Sequence, residues 1–187
     1  MFDFASRYAG GLTYEAFLEQ HGTDEHRRRW QSAYEAITLT SAQRKLLESF
    51  RREMQVLCLA GAWCGDCVYQ CPIFDHFARA TPTVGLRFQD RDADAELTAE
   101  LSVCGGQRVP VVVFLNEDGQ PVARYGDRTL SRYRQMAAEM LGPSCPTGLV
   151  LPEGEALAAI VQDWLNEFER VQLLLRLSPR LREKHGD

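Results

Sequence analysis

The chain has 187 residues, 45% hydrophobic and 25% charged: enough apolar content for one packed core and too much for a disordered segment. Its 21 basic and 26 acidic residues leave a net charge of −5, which argues against a general electrostatic grip on nucleic acid or an anionic membrane. No apolar run approaches the ~20 residues of a spanning helix, and Met1 to Tyr8 lack the basic-then-apolar pattern of a secretion signal. The expectation is a cytoplasmic protein with neither nucleic-acid nor membrane partners.

The first fifty residues read as helical. Tyr14, Phe17 and Leu18 form one short apolar stripe, and Trp30, Ala33, Tyr34 and Ile37 repeat it at helical spacing. Thr40-Ser41-Ala42-Gln43 has the form of a capping box ahead of a helix carrying Leu46, Leu47 and Phe50. From Met54 the pattern changes: Val56 to Ala60 is a short apolar run that ends at Gly61, as a buried strand would. Residues 65–79 return to helical spacing, with Pro72 as an expected kink. Val84 to Phe88 is a second strand, and Asp94 is placed to cap a helix through Leu97, Leu101 and Val103.

Val109 to Leu115 is the most strand-like stretch, and Glu117 to Gln120 form a turn into a further strand over Pro121 to Tyr125. A helix from about Thr129 to Leu141 follows, then a breaker cluster over 142–148. Residues 153–177 read as a long helix whose Leu157, Ile160, Val161, Trp164, Leu165, Phe168 and Val171 share one face. That face is expected to pack on its own domain, with a dimer or partner surface as the alternative. The order strand, helix, strand, helix, strand, strand, helix implies an α/β fold, its sheet part parallel with an antiparallel edge hairpin. The expected division is a helical N-terminal extension over 1–50, an α/β domain over 51–141, and a loop and C-terminal helix over 142–187.

Six cysteines are present: Cys58, Cys64, Cys67, Cys71, Cys104 and Cys145. Four fall between positions 58 and 71, a clustering that suits redox chemistry or metal binding better than a stapled framework. Cys64 and Cys67 stand two residues apart at the start of a helix that follows a strand. There the sulfurs can approach bonding distance, and the helix's positive end favours a thiolate, the nucleophilic form. Cys64 is the expected attacking thiol and Cys67 the resolving one.

Trp63-Cys64-Gly65-Asp66-Cys67 resembles the Trp-Cys-Gly-Pro-Cys active site of the thioredoxin family. Pro72, five residues after the second cysteine, matches the family's helix proline. Arg108-Val109-Pro110 ahead of Val111 to Phe114 is similar to the segment that holds its cis-proline, and Gly119 and Gly126 match glycines of the following hairpin. The resemblance covers roughly residues 51–141. It implies a thioredoxin-like fold and dithiol exchange through a Cys64–Cys67 redox disulfide. It also implies that backbone at Val109, beside Pro110, pairs with the substrate. Trp63 would form an apolar rim. Electrons would reside in the cysteine pair, so no cofactor and no metal is expected. The implied partners are a disulfide-containing protein or small molecule and an electron-donating reductase.

Two residues depart from the family pattern. Asp66 stands where the motif has proline, and its charge is expected to raise the Cys64 pKa and make the disulfide harder to reduce. Cys58 stands where thioredoxins carry a buried aspartate that assists the resolving cysteine; a small buried hydrophobe is the simpler reading. Cys71 is expected to share a helical face with Cys64 and Cys67, either as an inert thiol or as acceptor in a second exchange. Cys104 is expected near the active-site side, and Cys145 in a loop. Two alternatives remain: a non-catalytic binding module, and a zinc or iron–sulfur site in which Cys104 joins Cys64, Cys67 and Cys71. Asp90 to Asp94 read as a solvated loop with a cap, and His26 to Arg29 as a solvent face.

Overall fold

The computed structural model describes residues 2–140 and 154–187; the breaker cluster and Cys145 lie outside the described residues. Four helices open the chain: α1 (Phe4–Ala9), α2 (Tyr14–His21), α3 (Asp24–Ala36) and α4 (Ser41–Glu48). Thr13, Thr23 and Thr40 each accept an orphan backbone N–H at a helix start, and the Thr40–Gln43 capping box forms in full. Then come β1 (Met54–Ala60), α5 (Gly65–Ala80), β2 (Val84–Asp90), α6 (Ala95–Glu100), β3 (Val111–Asn116) and β4 (Pro121–Gly126). The chain closes with α7 (Leu130–Met140), α8 (Glu155–Leu177) and α9 (Pro179–His185).

The sheet runs β2-β1-β3-β4. β1 pairs parallel with β2 and antiparallel with β3, and β3 pairs antiparallel with β4. Burial follows position in the sheet. β1 is buried at all but Gln55 and β3 throughout, as central strands covered on both faces must be, whereas β2 alternates and β4 stays half-exposed. Leu12 bridges to Phe88 through two backbone hydrogen bonds of 2.9 and 2.8 Å, so the N-terminal segment covers part of the β2 edge.

The helices outside the central α/β segment share its core. Trp30 of α3 is fully buried and its indole N–H donates to the Ala62 carbonyl at 2.8 Å, directly behind the loop that follows β1. Tyr14 and Phe17 pack against its ring, and both also meet Phe88 of β2. On α8, Trp164 and Phe168 pack against Phe74, Phe77 and Phe114. The apolar face of the C-terminal helix is thus turned inward.

Two boundaries and one helix differ most from expectation. β3 starts at Val111, because Val109 and Pro110 belong to the preceding loop and proline offers no N–H to a ladder. α6 ends at Glu100, and Val103 instead exchanges two hydrogen bonds with Gly106. α9 is an additional helix, started by Pro179 in its first turn and stopped by Gly186 in the left-handed region after it.

Candidate active site

β1 delivers the chain to Gly61, and the tight connection to α5 leaves Cys64 at the helix N-cap. Its backbone is extended, its N–H donates to Gly61 and its carbonyl accepts from Val68, both at 3.0 Å. The sulfur itself caps nothing and is partly exposed. Cys67, one turn in, is fully buried; its Sγ accepts the Gly61 N–H at 3.4 Å and hydrogen-bonds the Cys64 thiol. Across the gap, the Val109–Pro110 peptide is cis, and the Cys64 thiol faces the Val109 carbonyl at 3.5 Å. Gly126 braces that loop from behind. Its φ is +140°, and a Cβ there would lie 2.6 Å from the Pro110 carbonyl oxygen. Gly126→Ala is therefore expected to displace the Pro110 loop and destabilise the protein by more than the few tenths of a kcal/mol typical of surface changes, read from the denaturant midpoint. Trp63, Cys64, Asp66, Arg108, Val109 and Arg128 line a cleft of about 430 Å³.

A family profile described as thioredoxin matches residues 11–140. The chain belongs to the thioredoxin family. Among solved structures it is similar to a protein of unknown function from Pseudomonas aeruginosa, 22% identical, with a TM-score of 0.66 over 94% of this chain and 97% of that one. It is also similar to an HIV epitope scaffold, 20% identical, with a TM-score of 0.62 over 95% and 99% of the two chains. These two share the fold over nearly the whole length, outer helices included. A thioredoxin from Fasciola hepatica is 26% identical over 50% of this chain and 86% of its own, with a TM-score of 0.36. A search of the curated proteins returns no match.

In this thioredoxin-family site the two thiols share a proton unequally. Burial alone would raise the Cys67 pKa, but the hydrogen bonds from Cys64, Cys71 and the Gly61 N–H outweigh it and pull the thiol down to about 5. Cys64 is raised, first because it donates to Cys67 and then because it is partly desolvated. The surrounding donors therefore favour charge on the inner sulfur and disfavour it on Cys64, against what helix position alone suggests. The acceptor facing Cys64 is a carbonyl, which favours a protonated thiol, whereas Cys67 receives a backbone donor.

Asp66 acts in the expected direction on both sulfurs, but as the smallest of the contributions. The Arg128 guanidinium lies 2.6 Å from the Asp66 carboxylate, where its positive charge opposes that of the aspartate. Thiolate absorbance of the reduced protein should rise in a first step near pH 5. Removing the aspartate charge with Asp66→Asn moves that step down; stripping its cover with Arg128→Ala moves it up. A midpoint that neither variant moves would break this account.

Sequence reasoning missed the charged frame around the thiols. The Asp127 carboxylate is 3% exposed and receives Arg128 at 2.9 Å, Arg108 at 3.3 Å and the Tyr133 hydroxyl. Burial pushes its pKa up, but these partners together hold it below the usual carboxylate range. The Asp127 backbone carbonyl accepts from the buried Gln70 amide at 3.0 Å, and the Trp164 indole donates to Gln70 at 2.9 Å. Trp63 is 42% exposed, with the Arg91 guanidinium 4.4 Å from its ring centre. Nothing in the spacing of Gln70, Arg91, Arg108, Asp127 and Arg128 marks them as one group.

The remaining sequence candidates separate. Gly65 opens α5, and Cys58 and Cys71 are buried directly behind Cys67. Cys104 is exposed at φ 51° and does not line the cleft. Among the described residues, no group of three or more histidine, cysteine or acidic side chains is arranged to hold a metal ion. Asp90 is buried and accepts the Asp92 N–H at 2.9 Å, and Asp94 caps α6 through the Leu97 N–H. Among the described residues, no helix is long and apolar enough to cross a membrane.

Proposed function

We propose that this protein reduces disulfides by dithiol exchange through Cys64 and Cys67. The observation that carries the reading is a partly exposed sulfur at the α5 N-cap, hydrogen-bonded to a buried second sulfur and facing the Val109 carbonyl in a cleft. The thiols supply the chemistry, so the reading calls for no bound cofactor. It does call for an electron-donating reductase or dithiol.

The shared proton moves from Cys64 to Cys67 along their hydrogen bond, which charges the outer sulfur. The Cys64 thiolate attacks one sulfur of the substrate disulfide; that S–S bond breaks, and the first substrate thiolate leaves and takes up a proton. Cys67 then loses its proton and attacks Cys64 Sγ, and the second substrate thiolate leaves with the bonding pair. The second thiolate also takes up a proton: the substrate gains two electrons and two protons, one proton from the dithiol and one from solvent, and the protein is left with a Cys64–Cys67 disulfide. Backbone at Val109, next to Pro110, is the docking edge for an extended substrate. Trp63 with Arg91 walls one side.

The test is reduction of a disulfide-bonded protein such as insulin with dithiothreitol as donor. Turnover well above the dithiothreitol background, lost on alkylation of Cys64, supports the reading. A rate equal to background would leave the binding-module alternative in its place.

A further inference from the structure

Behind the exchanging pair stands a second pair of thiols. Cys58 on β1 and Cys71 on α5 are both fully buried, and their sulfurs lie 3.9 Å apart. Cys71 also hydrogen-bonds Cys67, which in turn hydrogen-bonds Cys64. Four sulfurs therefore run Cys64, Cys67, Cys71, Cys58 from the cleft into the core.

The two inner steps differ in what they can hold. A disulfide wants Cβ atoms roughly 3.5–4.5 Å apart, whereas residues four apart on a helix keep theirs at about 5–6 Å. A Cys67–Cys71 bond is therefore a transient link. Cys58 and Cys71 come from a strand and from the helix packed on it, so side-chain rotation can close the sulfur gap without that constraint.

A separate observation points the same way. The Tyr14 hydroxyl is buried and has no hydrogen-bond partner, and Cys71 lies within its electrostatic reach. A buried donor left unused costs about 1–3 kcal/mol. This one gains a use when charge forms on Cys71.

We propose that Cys58 and Cys71 form a second, buried redox couple that takes over the disulfide from Cys64 and Cys67, with Tyr14 as a positioning residue for the Cys71 thiolate. The proposal rests on the exchange reading above. Cys71 loses its proton and attacks Cys67 Sγ; the Cys64–Cys67 bond breaks, and Cys64 leaves with the electron pair and takes up a proton. Cys58 then loses its proton and attacks Cys71 Sγ; the Cys67–Cys71 bond breaks, and Cys67 leaves with its pair and takes up a proton. In sum, two electrons and two protons pass from the inner dithiol to the outer disulfide. The outer pair is ready again, and one chain reduces two substrate disulfides before it needs recharging.

The experiment starts from fully reduced full-length protein, adds excess glutathione disulfide, quenches in acid at intervals, then denatures, alkylates and maps cysteines by mass spectrometry. The wild type should give up four electrons, with the Cys64–Cys67 bond appearing first and the Cys58–Cys71 bond after it. In Cys64→Ser the inner bond should be absent, because the entrance is shut. In Tyr14→Phe it should form several-fold more slowly relative to the outer bond. Two electrons only, with Cys58 and Cys71 recovered as free thiols, would overturn the second couple while leaving the exchange function intact. An inner bond that forms in Cys64→Ser at the wild-type rate would overturn the relay. Failure of the Cys64–Cys67 bond to form would sink the exchange reading itself.

Discussion

Cys64→Ser is expected to abolish turnover of a disulfide substrate, with a loss of about 10³-fold or more. A serine hydroxyl at the α5 N-cap has no accessible anion near neutral pH, and nothing around it could create one. The facing group is the Val109 carbonyl, an acceptor, and Asp66 adds negative charge. Cys67 cannot stand in, because its sulfur is fully buried beneath Cys64 and the Gly61 backbone. Cys67→Ser separates the two roles. The first attack survives, the second cannot occur, and a covalent Cys64–substrate adduct should accumulate and be visible by intact mass. Retention of more than about a tenth of wild-type turnover in Cys64→Ser would remove Cys64 from the nucleophile's position.

Local signals in the chain carried the reading a long way, and where they stopped has a physical reason. The strand-to-Cys64 connection, the cap at Thr40, the hairpin around Gly119 and the apolar face of α8 are all encoded within a few residues of one another, so periodicity and capping rules find them. The thiols are legible for the same reason: Cys64, Cys67 and Cys71 are neighbours on one helix. Asp127 is different. Its carboxylate matters because Arg108, Arg128 and Tyr133 converge on it, and its carbonyl because Gln70 reaches it from α5. Those contacts span separations that no local pattern encodes. The same holds for Cys58, which reads as a small strand hydrophobe until the fold places its sulfur 3.9 Å from Cys71.

Trp164→Ala should destabilise the protein by about 3–5 kcal/mol, the usual range for emptying a fully buried aromatic site. Trp164 stands edge-on to Phe74 and Tyr125, with ring centres 4.4 and 5.0 Å away, so truncation leaves a void between α8, α5 and β4. The indole N–H also donates to the Gln70 side chain, whose amide in turn holds the Asp127 carbonyl. Trp164→Phe keeps much of the packing and removes only that donor, leaving a buried Gln70 acceptor unpaired at a cost of about 1–3 kcal/mol. Denaturant midpoints at unchanged m-value measure both effects. The two variants also ask whether α8 serves the site. Under conditions where Trp164→Phe is fully folded, loosening Gln70 should relax the Asp127–Arg128 segment that covers Asp66, and the first thiolate titration step should move up as it does in Arg128→Ala. A Trp164→Phe protein that is less stable yet titrates like the wild type would confine α8 to a structural role and uncouple it from the thiols.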